Sequence, residues 1–178
     1  MVYIFLAEGF EETEALAPLD ILRRAGIEIK TVGVTGELVT GAHNITVKAD
    51  ILPEDVNYNA IEAVILPGGL PGTTNLEKDA AVQKALEYAD ENNKLICAIC
   101  AAPSILGHKG ILEGREATCY PGFEESFKGG KYIKKSVVRS ENIITADGMG
   151  SAFKFGFEIA AALTSKETAD KIKEQIQY

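Results

Sequence analysis

One thiol stands where an apolar strand meets a helix with no loop between them. Leu95-Ile96-Cys97-Ala98-Ile99 reads as a buried strand and Ala101–His108 as the helix after it, so Cys100 occupies the turn. Unpaired backbone N–H groups and the helix dipole at such a junction favour a thiolate over a thiol. The chemistry on offer is nucleophilic attack or oxidation, although many strand-to-helix junctions carry an inert cysteine. Cys97 and Cys100 also form a C-x-x-C pair, the spacing of a dithiol redox centre. There, however, the first cysteine opens a helix, whereas Cys97 lies inside a strand. Side chains three apart on a strand point to opposite faces, so a 97–100 disulfide would distort the strand and is not expected. Cys97 reads as a small core residue, while Cys119, at the end of a short strand, is open between packing and chemistry, with packing favoured.

Partners for a reactive thiol must come from neighbouring loops. The first candidate is the acidic stretch Glu8-Gly9-Phe10-Glu11-Glu12-Thr13-Glu14. The dipole of the following helix alone accounts for two or three of its acids. A catalytic role needs one glutamate turned inward, desolvated and raised in pKa; the residue pattern does not say which. The second candidate is Pro67-Gly68-Gly69-Leu70-Pro71-Gly72. Its spacing is not a dinucleotide fingerprint, and the next helix is expected several residues later. It reads either as a turn needing positive φ or as backbone N–H groups bared toward an oxyanion, together with the N–H of Ala101. Metal binding is not expected: the two histidines, His43 and His108, lie in no ligand spacing, and His108 suits a helix C-terminus. No Ser-centred G-x-S-x-G is present, and no cofactor site is evident.

The elements that must position these residues alternate strand and helix. Strands are expected at Val2–Leu6, Ile27–Val34, Ile61–Leu66, Leu95–Ile99 and Ala117–Tyr120. Helices are expected from Glu11 to Ala25, over Ala80–Asn92, Ala101–His108, Gly150–Leu163 and Lys166–Ile176. Hairpins are expected in Gly36–Ala49 and in Ser136–Ala146, the latter turning at Glu141-Asn142. Short continuous Val/Ile/Leu strands are those of a parallel sheet covered on both faces. The fold class is therefore α/β, a sandwich whose ligand site lies at the carboxyl ends of the strands. If the strands before Ala7, Pro67 and Cys100 are neighbours, the three loops converge.

The length of 178 residues suits one domain, 1–178, with no linker or repeat. A net charge of −8 argues against a nucleic-acid surface, which needs clustered Lys and Arg. No apolar run approaches the roughly eighteen residues of a membrane span. Met1 leads straight into a strand with no secretory signal pattern, and three cysteines are an odd count. The expectation is a cytoplasmic protein with free thiols.

Taken together, Ala7–Glu14, Leu66-Pro67-Gly68-Gly69 and Ala98-Ile99-Cys100-Ala101-Ala102-Pro103 resemble, in order, three motifs of the ThiJ/PfpI superfamily, and within it the DJ-one branch. The resemblance runs over nearly the whole chain. It implies a flavodoxin-like three-layer sandwich with a mostly parallel central sheet, and a homodimer whose contact includes the first helix with Asp20, Arg23 and Arg24. It implies Cys100 as the reactive cysteine, Glu14 as the protonated acid bonded to it, and the N–H groups of Gly69 and Ala101 as anion donors. The activities it implies are glutathione-independent glyoxalase chemistry on small carbonyl substrates, deglycation of early glycation adducts, and oxidation-sensing chaperone behaviour, all without a cofactor. Two positions depart from the superfamily's patterns. Protease-like relatives carry His directly after the cysteine; here it is Ala101, which removes the Cys–His pair of a peptidase. Animal members carry a second His where this chain has Tyr120. A phenol with a pKa near 10 is a poor base at neutral pH but can orient a substrate.

Overall fold

The computed structural model describes residues 1–178. In chain order its elements are β1 (Val2–Leu6), α1 (Glu12–Arg24), β2 (Ile29–Gly33), β3 (Leu38–Thr40), β4 (Thr46–Lys48), β5 (Ala63–Leu66), α2 (Gly72–Lys78), α3 (Ala80–Glu91), β6 (Leu95–Ile99), α4 (Pro103–His108), β7 (Glu116–Ala117), β8 (Lys131–Tyr132), β9 (Val137–Ser140), β10 (Ile143–Ala146), α5 (Ala152–Leu163) and α6 (Lys166–Gln175). The apolar runs become a six-stranded sheet in the order β2-β1-β5-β6-β10-β9. The first five strands are parallel and β9 closes one edge antiparallel to β10. With the β3–β4 hairpin set aside, this is the flavodoxin order, with its switch point beside β1. β1, β5 and β6 are consecutive neighbours, as convergence of the three loops requires.

Alternation along each central strand feeds two separate cores. Ile4 and Leu6 face a cluster with Leu22, Phe155 and Ile159 of α1 and α5. Tyr3 and Phe5 face the other, with Leu76, Leu86 and Ile105 of α2, α3 and α4. Each fully buried large side chain stabilises the fold by about 1.5–3 kcal/mol, so both faces are firmly held. α5 approaches α1 closely because Gly156 has no side chain: a Cβ there would stand 2.7 Å from Ile21 Cδ1 and 3.0 Å from the Pro18 backbone. Asp79 caps α3, accepting from the N–H groups of Ala81 at 2.9 Å and Val82 at 3.0 Å.

Several boundaries differ from the sequence expectation. α2 was not expected; Gly72-Thr-Thr-Asn-Leu-Glu-Lys78 is poor in helix formers, and Leu76, locked in the core, anchors it. The helix after the thiol begins at Pro103, not Ala101. The strand expected over Ala117–Tyr120 is Glu116–Ala117 only, paired with β8; beyond it Thr118 N–H donates to Thr145 Oγ1 at 2.8 Å. Both expected hairpins form, and Glu141 takes the left-handed conformation (φ 53°) at the second. No helix is long and apolar enough to cross a membrane.

Candidate active site

β6 ends by throwing Cys100 into the left-handed region, φ 64°. A non-glycine residue there costs on the order of 1–3 kcal/mol, so the surroundings must over-determine it. They do: Cys100 N–H donates to Ala146 O at 2.9 Å and Cys100 O accepts from Tyr120 N–H at 2.7 Å. The turn also ends the strand alternation. Cys97 lies in the α1/α5 core, and Cys100 packs against that same core. The expectation that the two thiols face opposite ways is therefore corrected, although all three cysteines are free.

The loops after β1 and β5 meet at this turn. Glu11 N–H donates to Gly68 O at 2.9 Å and Gly72 N–H to Gly9 O at 3.2 Å. Gly69, at φ 88°, packs against the backbone of Gly9, Phe10 and Glu11, so no side chain fits there. Glu14, in the first turn of α1, is fully buried. Its Oε2 accepts from Gly68 N–H at 2.9 Å, while Oε1 is buried with no hydrogen-bond partner. Gly68 was not singled out from the sequence, yet it sits between acid and thiol: a Cβ would stand 2.6 Å from Glu14 Oε2 and 2.7 Å from Cys100 Cβ. The Gly68-Gly69 doublet was the available signal.

Burial pushes the Glu14 carboxyl up to about 7, with a smaller contribution from the charge of Glu11; the Cys100 thiol and Gly68 N–H oppose the shift. Burial, followed by the charge of Glu14 and the bond between the two groups, pushes the Cys100 thiol up to about 12. The N–H groups of Ala101 and Gly69, directed at the sulfur, pull the other way. The sequence reading expected the helix end to depress this pKa. α4 has only six residues and starts two beyond Ala101, so burial beside a carboxylate dominates. Between about 7 and about 12 the pair holds one proton and one negative charge.

The other expected residues fall as follows. Tyr120 reaches Cys100 through its backbone; its ring is half-exposed and lies near Gly148. Cys119 is buried, its thiol pushed up to about 12 by burial and then by the charge of Glu124. Burial also holds Cys97 well above the usual thiol range. Neither has an acid bonded to its thiol. His108 closes α4, its ring bonded to Glu77. Arg24 pairs with Asp20 at 2.6 Å on the outer face of α1, and Arg23 pairs with Asp50 at 2.7 Å. Glu11, Glu12 and His43 bring ligand-type atoms within 4.8 Å of one another. Glu12 already accepts from His43 N–H at 2.7 Å and bonds His43 Nδ1 at 2.9 Å, which gives this cluster a structural role.

A flavodoxin-like sandwich with a left-handed cysteine elbow against a buried glutamate defines a recognisable class of proteins. The family model described as the DJ-1/PfpI family matches residues 1–162, and the chain belongs to that family. It is 35% identical over 175 residues to the Parkinson disease protein 7 homolog of Danio rerio, covering 96% of this chain and 93% of that protein. It is 31% identical over 166 residues to the glutathione-independent glyoxalase DJR-1.2 of Caenorhabditis elegans, covering 93% of this chain and 89% of that one. The solved structure of oxidized Toxoplasma gondii DJ-1 superposes with a TM-score of 0.95 at 36% identity, covering 99% of this chain and 97% of the other.

Proposed function

We propose that the protein is a cysteine-dependent enzyme acting on small α-oxoaldehydes without a thiol cofactor, converting methylglyoxal to lactate. The observation that carries this reading is the buried Glu14–Cys100 pair, which loses its first proton near neutral pH. The name of the nematode relative supports it. In the reactive tautomer the negative charge sits on sulfur, under the N–H groups of Gly69 and Ala101, and the proton on Glu14. Sulfur bonds to the aldehyde carbon, and Glu14 protonates the resulting oxyanion, leaving a hemithioacetal and a carboxylate. That carboxylate takes the proton from the former aldehyde carbon and returns it to the adjacent one, giving a thioester. Water attacks the thioester carbonyl, the carbon–sulfur bond breaks, and lactate leaves with Cys100 restored. The Gly69 and Ala101 N–H groups serve the oxyanions along the way, and Tyr120 orients the substrate. Deglycation of early glycation adducts uses the same site. The test is lactate formation by wild type, Cys100→Ser and Glu14→Ala; equal rates in all three overturn the reading.

A second reading, an oxidation sensor or redox-regulated chaperone, is favoured by the same two N–H groups at a half-buried sulfur and by a relative solved in an oxidized state. One peroxide converts the thiolate to sulfenate with release of water, and a second gives the sulfinate. Intact mass after mild peroxide is expected to rise by two oxygens at Cys100. First oxidation at Cys97 or Cys119 overturns this reading. We also propose a homodimer with the outer face of α1, including Asp20, Arg23 and Arg24, in its contact. Sedimentation of Arg24→Glu against wild type tests it.

A further inference from the structure

β10 carries one polar residue among apolar ones, Ile143-Ile144-Thr145-Ala146, and Thr145 is fully buried. By alternation its side chain leaves the sheet on the face of Ile143, toward the core shared with α2, α3 and α4. Valine has the same shape and suits a strand equally well, with no hydroxyl to desolvate. A threonine here therefore needs a partner for its oxygen. That partner is remote in sequence: Thr118 N–H donates to Thr145 Oγ1 at 2.8 Å. Thr118 is fully buried too, so without that oxygen its N–H would be unpaired and out of reach of water.

Two residues further on, Tyr120 N–H donates to Cys100 O at 2.7 Å. The main-chain groups of Cys119, between them, make no hydrogen bond. Thr118 and Tyr120 are thus the two backbone donors that tie this segment to β10 and to the elbow. The Cys100 carbonyl and the Ala101 N–H are opposite ends of one planar peptide group. Fixing the carbonyl therefore fixes the direction of the N–H, one of the two donors aimed at the Cys100 sulfur. A bond accepted at the carbonyl also polarises the group and strengthens the donor at its other end. Cys100 is left-handed, a conformation that must be imposed from outside, so this peptide plane depends on the bonds around it.

We propose that Thr145 is a positioning residue for the oxyanion donor at Ala101. Its buried hydroxyl holds Thr118, which sets Tyr120 N–H against the Cys100 carbonyl and so aims the Ala101 N–H. The inference rests on the oxyanion role given to Ala101 above, and it adds a residue that bonds to neither the thiol nor the acid.

The test compares wild type with Thr145→Val, Thr145→Ser and Asp79→Ala. The last removes the cap of α3 and costs stability without touching the elbow. Measured against the amides of β5, hydrogen exchange at the Tyr120 amide is expected to quicken about tenfold in Thr145→Val, the effect of losing one buried hydrogen bond. It is expected to stay near wild type in Thr145→Ser and Asp79→Ala. With methylglyoxal, kcat of Thr145→Val is expected to fall about tenfold and KM to stay within about a factor of two, because the donor is misaimed rather than removed. Thr145→Ser is expected to recover most of that rate, and Asp79→Ala to lose none. Thr145→Ala carries the same expectations as valine and replaces it should valine not fold. Unchanged Tyr120 exchange in Thr145→Val overturns the proposal, as does a kcat loss that Thr145→Ser does not recover or that Asp79→Ala shares. If wild type forms no lactate while Thr145→Val shows faster Tyr120 exchange and a displaced Ala101 amide resonance, the clamp stands and the enzyme reading falls. Lactate from wild type with an undiminished kcat in Thr145→Val does the reverse.

Discussion

Glu12 and Glu14 are two residues apart in the first turn of α1, both buried, and they titrate in opposite directions. The helix dipole acts on both alike, so it cannot separate them. Burial pushes Glu12 up, but its hydrogen bonds from the His43 ring and from backbone N–H groups, those of His43 and Ile45 among them, outweigh it and leave the carboxyl below its usual value. Glu14 receives one backbone N–H and faces a thiol, so burial wins. More donors and weaker desolvation together make Glu12 a clamp for the β3–β4 hairpin, while deeper desolvation and a single backbone N–H leave Glu14 able to hold a proton at neutral pH.

The largest effect expected from this difference is on turnover. Glu14→Gln is expected to lower kcat/KM for methylglyoxal by on the order of 10²–10⁴, the usual range for loss of a general acid–base. Glu12→Gln is expected to stay within about a factor of a few. Similar losses in both would show that the two acids share one role and would break the comparison.

Stability against pH comes next. Glu14 rises from 4.5 to about 7 on folding, so the fold favours its protonated form. The associated stability is fully present below pH 4.5 and is lost as pH rises through about 7. A shift of that size corresponds to roughly 3 kcal/mol. Urea unfolding is expected to show wild type losing stability between pH 5 and 8 while Glu14→Gln stays nearly flat. Parallel profiles for the two proteins would remove Glu14 as the cause.

Gly68→Ala is expected to cost about 1–3 kcal/mol, because its Cβ meets Glu14 Oε2 and Cys100 Cβ with no room to relax. It is also expected to speed Cys100 alkylation in the folded protein, since moving the carboxylate away removes a group that holds the thiol pKa up. Normal stability and normal alkylation in this variant would mean that acid and thiol are less tightly apposed than the geometry indicates.

What could be read in advance follows the same line. Cys100 and the three converging loops were legible because apolar runs stop abruptly at Leu6, Leu66 and Ile99, and strand neighbourhood does the rest. The choice of Glu14 was not legible from residue pattern, since every acid near a helix start looks favourable; it came from resemblance. Its physical basis is the pairing of Glu12 with a hairpin thirty residues away, which no local pattern contains. The faces of Cys97 and Cys100 were misread because alternation assumes extended backbone, and Cys100 is left-handed. α2 was missed because Leu76 is the only large apolar side chain it buries. The direction of the Cys100 shift was misjudged because the dipole was weighed without the buried carboxylate beside it.

The smallest effect expected is on His43, and it tests the Glu12 half of the comparison alone. The hydrogen bond to Glu12, then the charges of Glu11 and Glu12, raise the His43 pKa. Glu12→Gln keeps the shape of the clamp but removes one charge, so the His43 midpoint followed by NMR is expected to fall part of the way toward its usual value, with Glu11 holding the remainder. Glu14→Gln is expected to leave it unmoved, because Glu14 is not among the groups acting on His43. The pH dependence of Glu12 itself runs opposite to that of Glu14. Its pKa is lowered on folding, so its stabilisation is present above 4.5 and fades as pH falls below that value. Glu12→Gln should therefore differ most from wild type at neutral pH, by about 1 kcal/mol, and least in acid. A Glu14→Gln protein that moved His43 as far as Glu12→Gln does would mean that the two carboxylates are one coupled cluster.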